Sequence, residues 1–159
     1  VHVLIEGFDG TGKSTLARTL SMGTGWPYIH QSPYRPKSPE EFELACSRAL
    51  ASTDLPNLIS DRWPMVSNYC YLPPGCGGSL AAVISSLRDG RVDRIVHCDV
   101  DAPEYLRIEA RFGDARDAEQ TSRVRAQASR VLEAYRGLMD ELRDRGFHVK
   151  RYRMIPGGL

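Results

Sequence analysis

Nine residues near the start of the chain, Gly7-Phe8-Asp9-Gly10-Thr11-Gly12-Lys13-Ser14-Thr15, have the types and spacing to hold a triphosphate. They satisfy G-x-x-x-x-G-K-[ST]. Gly7, Gly10 and Gly12 let the backbone turn so that successive N–H groups point into one concavity. That concavity opens onto a helix N-terminus, whose unpaired N–H groups and dipole favour an anion. Lys13 adds a positive charge for the outer phosphates, and the Ser14 hydroxyl is placed to ligate Mg²⁺. Thr11 and Thr15 belong to the same segment, so ATP and Mg²⁺ are the expected cofactors. The motif leaves the acceptor open: water, protein, DNA and small molecules all remain.

Two further groups of residues narrow the choice. The stretch "LISDRW" reads as a strand ending in Asp61 and Arg62. A strand's C-terminal end lies where open α/β sheets bind ligands. There Asp61 can help hold Mg²⁺ through water, and Arg62 can reach a transferring or accepting phosphate. No N-K-x-D guanine-specificity element is present, and Asp61 is followed by a base rather than a second acid, which argues against GTPases and ring-forming ATPases. Arg107, Arg111 and Arg116 sit in or beside a polar interruption, "GDARDAEQ", whereas the phosphate loop itself has no arginine. Phosphoryl transfer spreads negative charge over three oxygens, which arginines can neutralise in a water-excluded site.

The elements that must position these residues alternate. "VHVLIE" is a short apolar run before the glycine turn, and Ser14 to Met22 reads as the following helix. "YIHQ" predicts a short second strand. In "SPEEFELACSRALA", Ser38 is an N-cap, Pro39 fits the first helical position and Glu41 completes a capping box. Phe42, Ala45, Cys46, Ala49 and Leu50 then follow a helical period. "LPPGCGG" is a loop, "SLAAVISSLRD" a helix stopped by Gly90, and "RIVHCDV" a buried strand. Ala102 to Phe112 predicts a helix. A long helix follows the interruption, with Val124, Ala128, Val131, Leu132, Tyr135, Leu138, Met139 and Leu142 on one face. "GFHVKRYRM" is the last strand. Alternating strands and helices imply an α/β fold with a five-stranded, mostly parallel sheet covered on both faces.

With 159 residues and no composition break, one domain spanning 1–159 is expected. Apolar content of 42% and charged content of 26% are those of an ordinary soluble globular protein. The formal net charge of +1 gives no global field for nucleic acid. No apolar run is long enough for a membrane span, and the opening lacks a secretory signal's basic region. The four cysteines contain no C-x-x-C pair, and the four histidines are scattered, so these read as structural and a reduced, cytoplasmic setting is expected. A homodimer is compatible with the sequence, which does not fix the oligomeric state.

"EGFDGTGKST" followed by "DRW…SNYCY" resembles the thymidylate kinases, whose pattern is an E-G-x-D-G-x-G-K-S/T loop and a later D-R-Y/F…S-N-x-x-Y segment. Ser67, Asn68 and Tyr71 match the second segment, with one extra residue after Arg62. The resemblance extends through "HCDVDAPEYLRIEARFGDARDAE" and "RVLEAYRGLMDEL", most of the chain. It implies a P-loop NTPase fold with a short Arg-rich lid at about 112–120, and a pyrimidine deoxynucleotide acceptor. It further implies that Asp9 contacts the acceptor's sugar, Arg62 holds its phosphate, and Asn68 and Tyr71 line the pyrimidine pocket. Within the family a lid arginine accompanies such loops, making Arg111 or Arg116 the catalytic candidate and Arg107 a donor contact. Three departures stand out. The chain is compact, "QSPYRPKSP" replaces the acceptor-contacting segment so that only Arg35 can supply a phosphate contact, and the wall before "RIVHCDV" is shortened. A more open site suits a larger acceptor, such as 5-hydroxymethyluracil in phage DNA. A deoxynucleoside kinase and a non-catalytic nucleotide switch are further alternatives.

Overall fold

A computed structural model describes residues 1–31, 38–101 and 118–153, and the side chains of all of these except 118–125. Five strands, β1 (His2–Gly7), β2 (Tyr28–His30), β3 (Leu58–Asp61), β4 (Val92–Asp99) and β5 (His148–Arg153), form one sheet in the order β2-β3-β1-β4-β5. Every pairing is parallel. Parallel neighbours need crossovers, and among the described residues five α-helices supply or follow them: α1 (Lys13–Thr24), α2 (Pro39–Ala51), α3 (Pro64–Tyr71), α4 (Leu80–Asp89) and α5 (Ala118–Asp144).

Alternation along β1 divides the core. Leu4 and Phe8 join the larger cluster with Trp63, Val66, Val83, Leu87, Val131, Leu132 and Met139, contributed by β1, α3, α4 and α5. Ile5 faces the other side, where Ala17 of α1, Ile59 and Cys98 form a smaller cluster. The predicted face of α5 is buried from Ala128 through Leu142, while Val124 lies outside the described side chains. Ser38 caps α2 as expected, its hydroxyl accepting from Glu41 N at 3.3 Å. The short helix α3 was not anticipated. Arg130 of α5 caps its C-terminal carbonyls, donating to Tyr71 O at 2.7 Å and Leu72 O at 2.9 Å. The expected helix over 102–112 and most of the expected lid lie outside the described residues, and the last part of that lid, Ala118 to Gln120, is already helical. Among the described residues no helix is long and apolar enough to cross a membrane.

The topology fixes where a site can form. β1 leaves over α1 to reach β2 beyond β3, whereas β3 crosses back past β1 to β4. The two neighbours therefore diverge at their C-terminal ends, which opens a crevice there. Gly7 and Asp61 both sit at that edge.

Trp63, 1% exposed, anchors the underside of this region, its indole N–H donating to Ser86 Oγ at 3.1 Å. Gly90 closes α4 against it: a Cβ there would lie 2.6 Å from Trp63 Cη2 and Cζ2. Because the ring is packed on all sides, Gly90→Ala should lower stability by about 1–3 kcal/mol, the usual cost of overpacking. A denaturant midpoint equal to that of the unsubstituted chain would show that the indole has room to move.

Candidate active site

The phosphate loop follows β1 directly. Gly7, Gly10 and Gly12 have φ of 146°, 76° and 77°, a region side chains disfavour. At Gly7 the restriction is also steric, since a Cβ would stand 2.3 Å from Cys98 O. Gly12 is the N-cap of α1. Thr11 Oγ1 and Lys13 Nζ both donate to Phe8 O, at 2.7 and 2.6 Å, which draws the loop around its own carbonyl. Lys13 is 5% exposed. Burial lowers its pKa, against the opposing pull of Glu6 and Asp61. Thr15 is exposed on the first turn of α1.

Asp61, fully buried at the end of β3, gathers three donors on one oxygen. Its Oδ2 accepts from Ser14 Oγ at 2.5 Å and Tyr28 Oη at 3.3 Å, and lies 2.9 Å from His30 Nδ1. Its Oδ1 has no hydrogen-bond partner among the described residues. A buried carboxylate oxygen left open beside a serine hydroxyl is a hard-oxygen donor set, and Mg²⁺ takes one or two such protein ligands, completing its shell with phosphate and water. Ser14 and Asp61 thus fit that ion.

Arg62 adopts φ 76°, unusual for a residue with a side chain. Its N–H continues the ladder to Ile5 O at 2.9 Å. The next N–H, of Trp63, turns instead to the Glu6 carboxylate in a short hydrogen bond. The second Glu6 oxygen accepts from Tyr135 Oη at 3.2 Å. Burial pushes Glu6 up to about 7, with Arg62, the Trp63 N–H and Lys13 pulling back. The Arg62 guanidinium pairs with Asp9 through Nη2 and stands 5.6 Å from the centre of the Tyr71 ring. Tyr71 is wedged between Phe8 and Tyr135, at 5.6 and 6.1 Å between ring centres, and its oxygen accepts from Asp9 N at 3.1 Å.

Beside Arg62 lies a cavity of about 300 Å³. One wall is Ile29, His30 and Gln31 at the end of β2, the opposite wall Leu44, Ala45 and Arg48 of α2. Arg62, Pro64 and Ser67 close it from α3 and the turn before it. Arg62 Nη1 and Ser67 Oγ are buried without partners among the described residues.

Gly7, Asp9, Gly10, Thr11, Gly12, Lys13, Ser14, Asp61, Arg62 and Tyr71 therefore converge at one edge of the sheet. Tyr71 meets Arg62 and Asp9 but is not in the cavity lining, and neither is Asn68, half-buried on α3. Arg35, Arg107, Arg111 and Arg116 lie outside the described residues. Sequence reasoning missed Glu6, Tyr28, His30 and Arg48. His30 carried a signal in its place at the end of a strand, but the scatter of the histidines concealed it.

The fold recurs in solved structures. YorR from Bacillus subtilis, in complex with phosphorylated GDP, superposes with a TM-score of 0.70 over 96% of this chain and 85% of that one, at 21% identity. At that identity the likeness is one of fold, an α/β arrangement with an all-parallel five-stranded sheet. Deoxyadenosine kinase from M. mycoides with bound dATP shares this fold, with a TM-score of 0.62 over 96% of this chain and 91% of that one, at 13% identity. With dCTP bound, the same kinase gives 0.60 over 96% and 90%, again at 13% identity. No protein-family model matches this chain, and no curated protein sequence does either.

Proposed function

We propose that this chain transfers the γ-phosphoryl group of ATP, with Mg²⁺, to a thymidine-type pyrimidine deoxynucleotide held in the cavity between β2, α2 and α3. The observation that carries the reading is the position of Arg62: one guanidinium nitrogen holds Asp9 of the phosphate loop, the other is buried without a partner among the described residues, and the residue lines the cavity. A guanidinium shared by both subsites can bind an acceptor phosphate and hold it against the donor. Lys13 and the loop N–H groups grip the donor's outer phosphates. Ser14 and Asp61 would hold Mg²⁺, which supplies charge neutralisation to those phosphates. In this reading Arg35 adds an acceptor contact, Arg107 a donor contact, and Arg111 or Arg116 neutralises the transferring group. The likeness of fold to a deoxyadenosine kinase supports a nucleotide-type acceptor.

His30 favours a second reading, in which the acceptor is a hydroxyl. In the neutral form with Nδ1 donating to Asp61, the imidazole of this cavity-lining residue leaves Nε2 as an acceptor, suited to a hydroxyl and unsuited to a phosphate. A deoxynucleoside, or 5-hydroxymethyluracil in DNA, offers such a group.

One experiment separates these acceptors. Labelled ATP and Mg²⁺ are supplied with thymidine monophosphate, thymidine, or DNA containing 5-hydroxymethyluracil. We expect label in thymidine diphosphate. Label confined to thymidine or to the DNA would replace the first reading with the second, and label in none of them would remove the transferase assignment.

A further inference from the structure

Glu6 has no role in the transfer as described so far, yet it is a fully buried carboxylate amid the larger apolar cluster. Such a group is costly to keep unless its hydrogen bonds do something specific. Both oxygens are occupied, one by the backbone N–H of Trp63 and the other by Tyr135 Oη. The partners come from positions 57 and 129 residues away. The Trp63 bond is the informative one. Arg62, immediately before it, is held in a left-handed conformation, which costs a residue with a Cβ free energy unless its neighbours enforce it. Arg62 N is fixed to Ile5 O on one side of that residue and Trp63 N to Glu6 on the other. Two consecutive residues of β1 thus clamp the peptide groups that flank Arg62.

We propose that Glu6 is a positioning residue: its carboxylate holds the left-handed turn at Arg62, so that the guanidinium reaches Asp9 and the acceptor cavity together. It acts through backbone geometry and touches neither nucleotide. Glu6 also lies near Lys13 and Arg62, two buried cations that favour its ionised form. The clamp requires an oxygen at that distance from β1 and does not require a charge.

Two conservative variants test this. Glu6→Asp withdraws the carboxylate by one methylene from the Trp63 N–H, and Glu6→Gln leaves an oxygen in place without the charge. Glu6→Asp should raise the acceptor KM by about tenfold, the equivalent of one hydrogen bond, and the ATP KM by less than about twofold. Glu6→Gln should stay within about threefold of the unsubstituted chain for both. An unmoved acceptor KM in Glu6→Asp, or one that rises in step with the ATP KM, overturns the proposal.

The kinetic arm rests on the transfer reading. Hydrogen exchange of the Trp63 amide in the nucleotide-free protein does not. Protection lost in Glu6→Asp and kept in Glu6→Gln supports the clamp even if no acceptor is labelled, in which case the transfer reading alone has failed. Equal protection in all three chains sinks the clamp whatever the chain transfers.

Discussion

Lys13→Ala should reduce the rate of phosphoryl transfer by about 10³-fold, the scale seen when a preorganised charge is removed from a transition state of this kind. The lysine is 5% exposed and already desolvated, so its charge acts on the outer phosphates with little screening by water. Its bond to Phe8 O keeps the ammonium within the loop rather than in solvent. The substitution also leaves Glu6 and Asp61 with one cation fewer, so a modest fall in thermal stability should accompany the loss. Circular dichroism should still report an intact α/β fold, because α1 retains its packing through Ala17 and Leu16. A variant with transfer rates like those of the unsubstituted chain would sink the assignment of the loop to a donor triphosphate.

Arg62→Ala should have a comparable effect with a different signature. If the guanidinium binds the acceptor and stays with it through transfer, kcat/KM for the acceptor falls by about 10³-fold while the ATP KM changes by less than about threefold. A loss shared equally between both substrates would return Arg62 to a structural role. Arg62→Gly makes the argument sharper. The φ of 76° costs alanine what it costs arginine and costs glycine little, so Arg62→Gly should be about 1 kcal/mol more stable than Arg62→Ala while equally inactive. The strain at this residue would then be something the chain tolerates for the site, as happens where geometry is held for function. Equal stability of the two variants would show that the turn relaxes once the guanidinium is gone.

Local signals carried much of this architecture. The glycine turn between β1 and α1, the Ser38 cap of α2 and the apolar face of α5 from Ala128 to Leu142 are patterns of spacing within one or two turns of chain. The strand ending in Asp61 was legible for the same reason. Glu6 was not, because its partners are Trp63 and Tyr135 and nothing near it in the chain announces them. In a run of apolar residues it reads only as the end of a strand. His30 gains meaning from Asp61, which reaches it across neighbouring strands β2 and β3. Arg48 shares α2 with the apolar positions that define the helix, and only the packing of α2 opposite α3 turns it into a cavity wall. The Tyr71 ring stands against Phe8, Tyr135 and the Arg62 guanidinium, contacts between elements that local spacing does not announce.

The position of β1 at the middle of the sheet has a consequence for how the molecule assembles. The strand is flanked by β3, whose partner residues begin at Leu58, and by β4, whose partners begin at Val92. Neither neighbour exists when β1 leaves the ribosome, and a chain dominated by such distant pairings closes slowly. Until β4 has emerged as well, an apolar strand with an unsatisfied edge must wait. Ser14 and Asp61 meet only when that closure brings α1 to the end of β3. A partly made chain therefore holds the sequence of a phosphate loop without the geometry to use it.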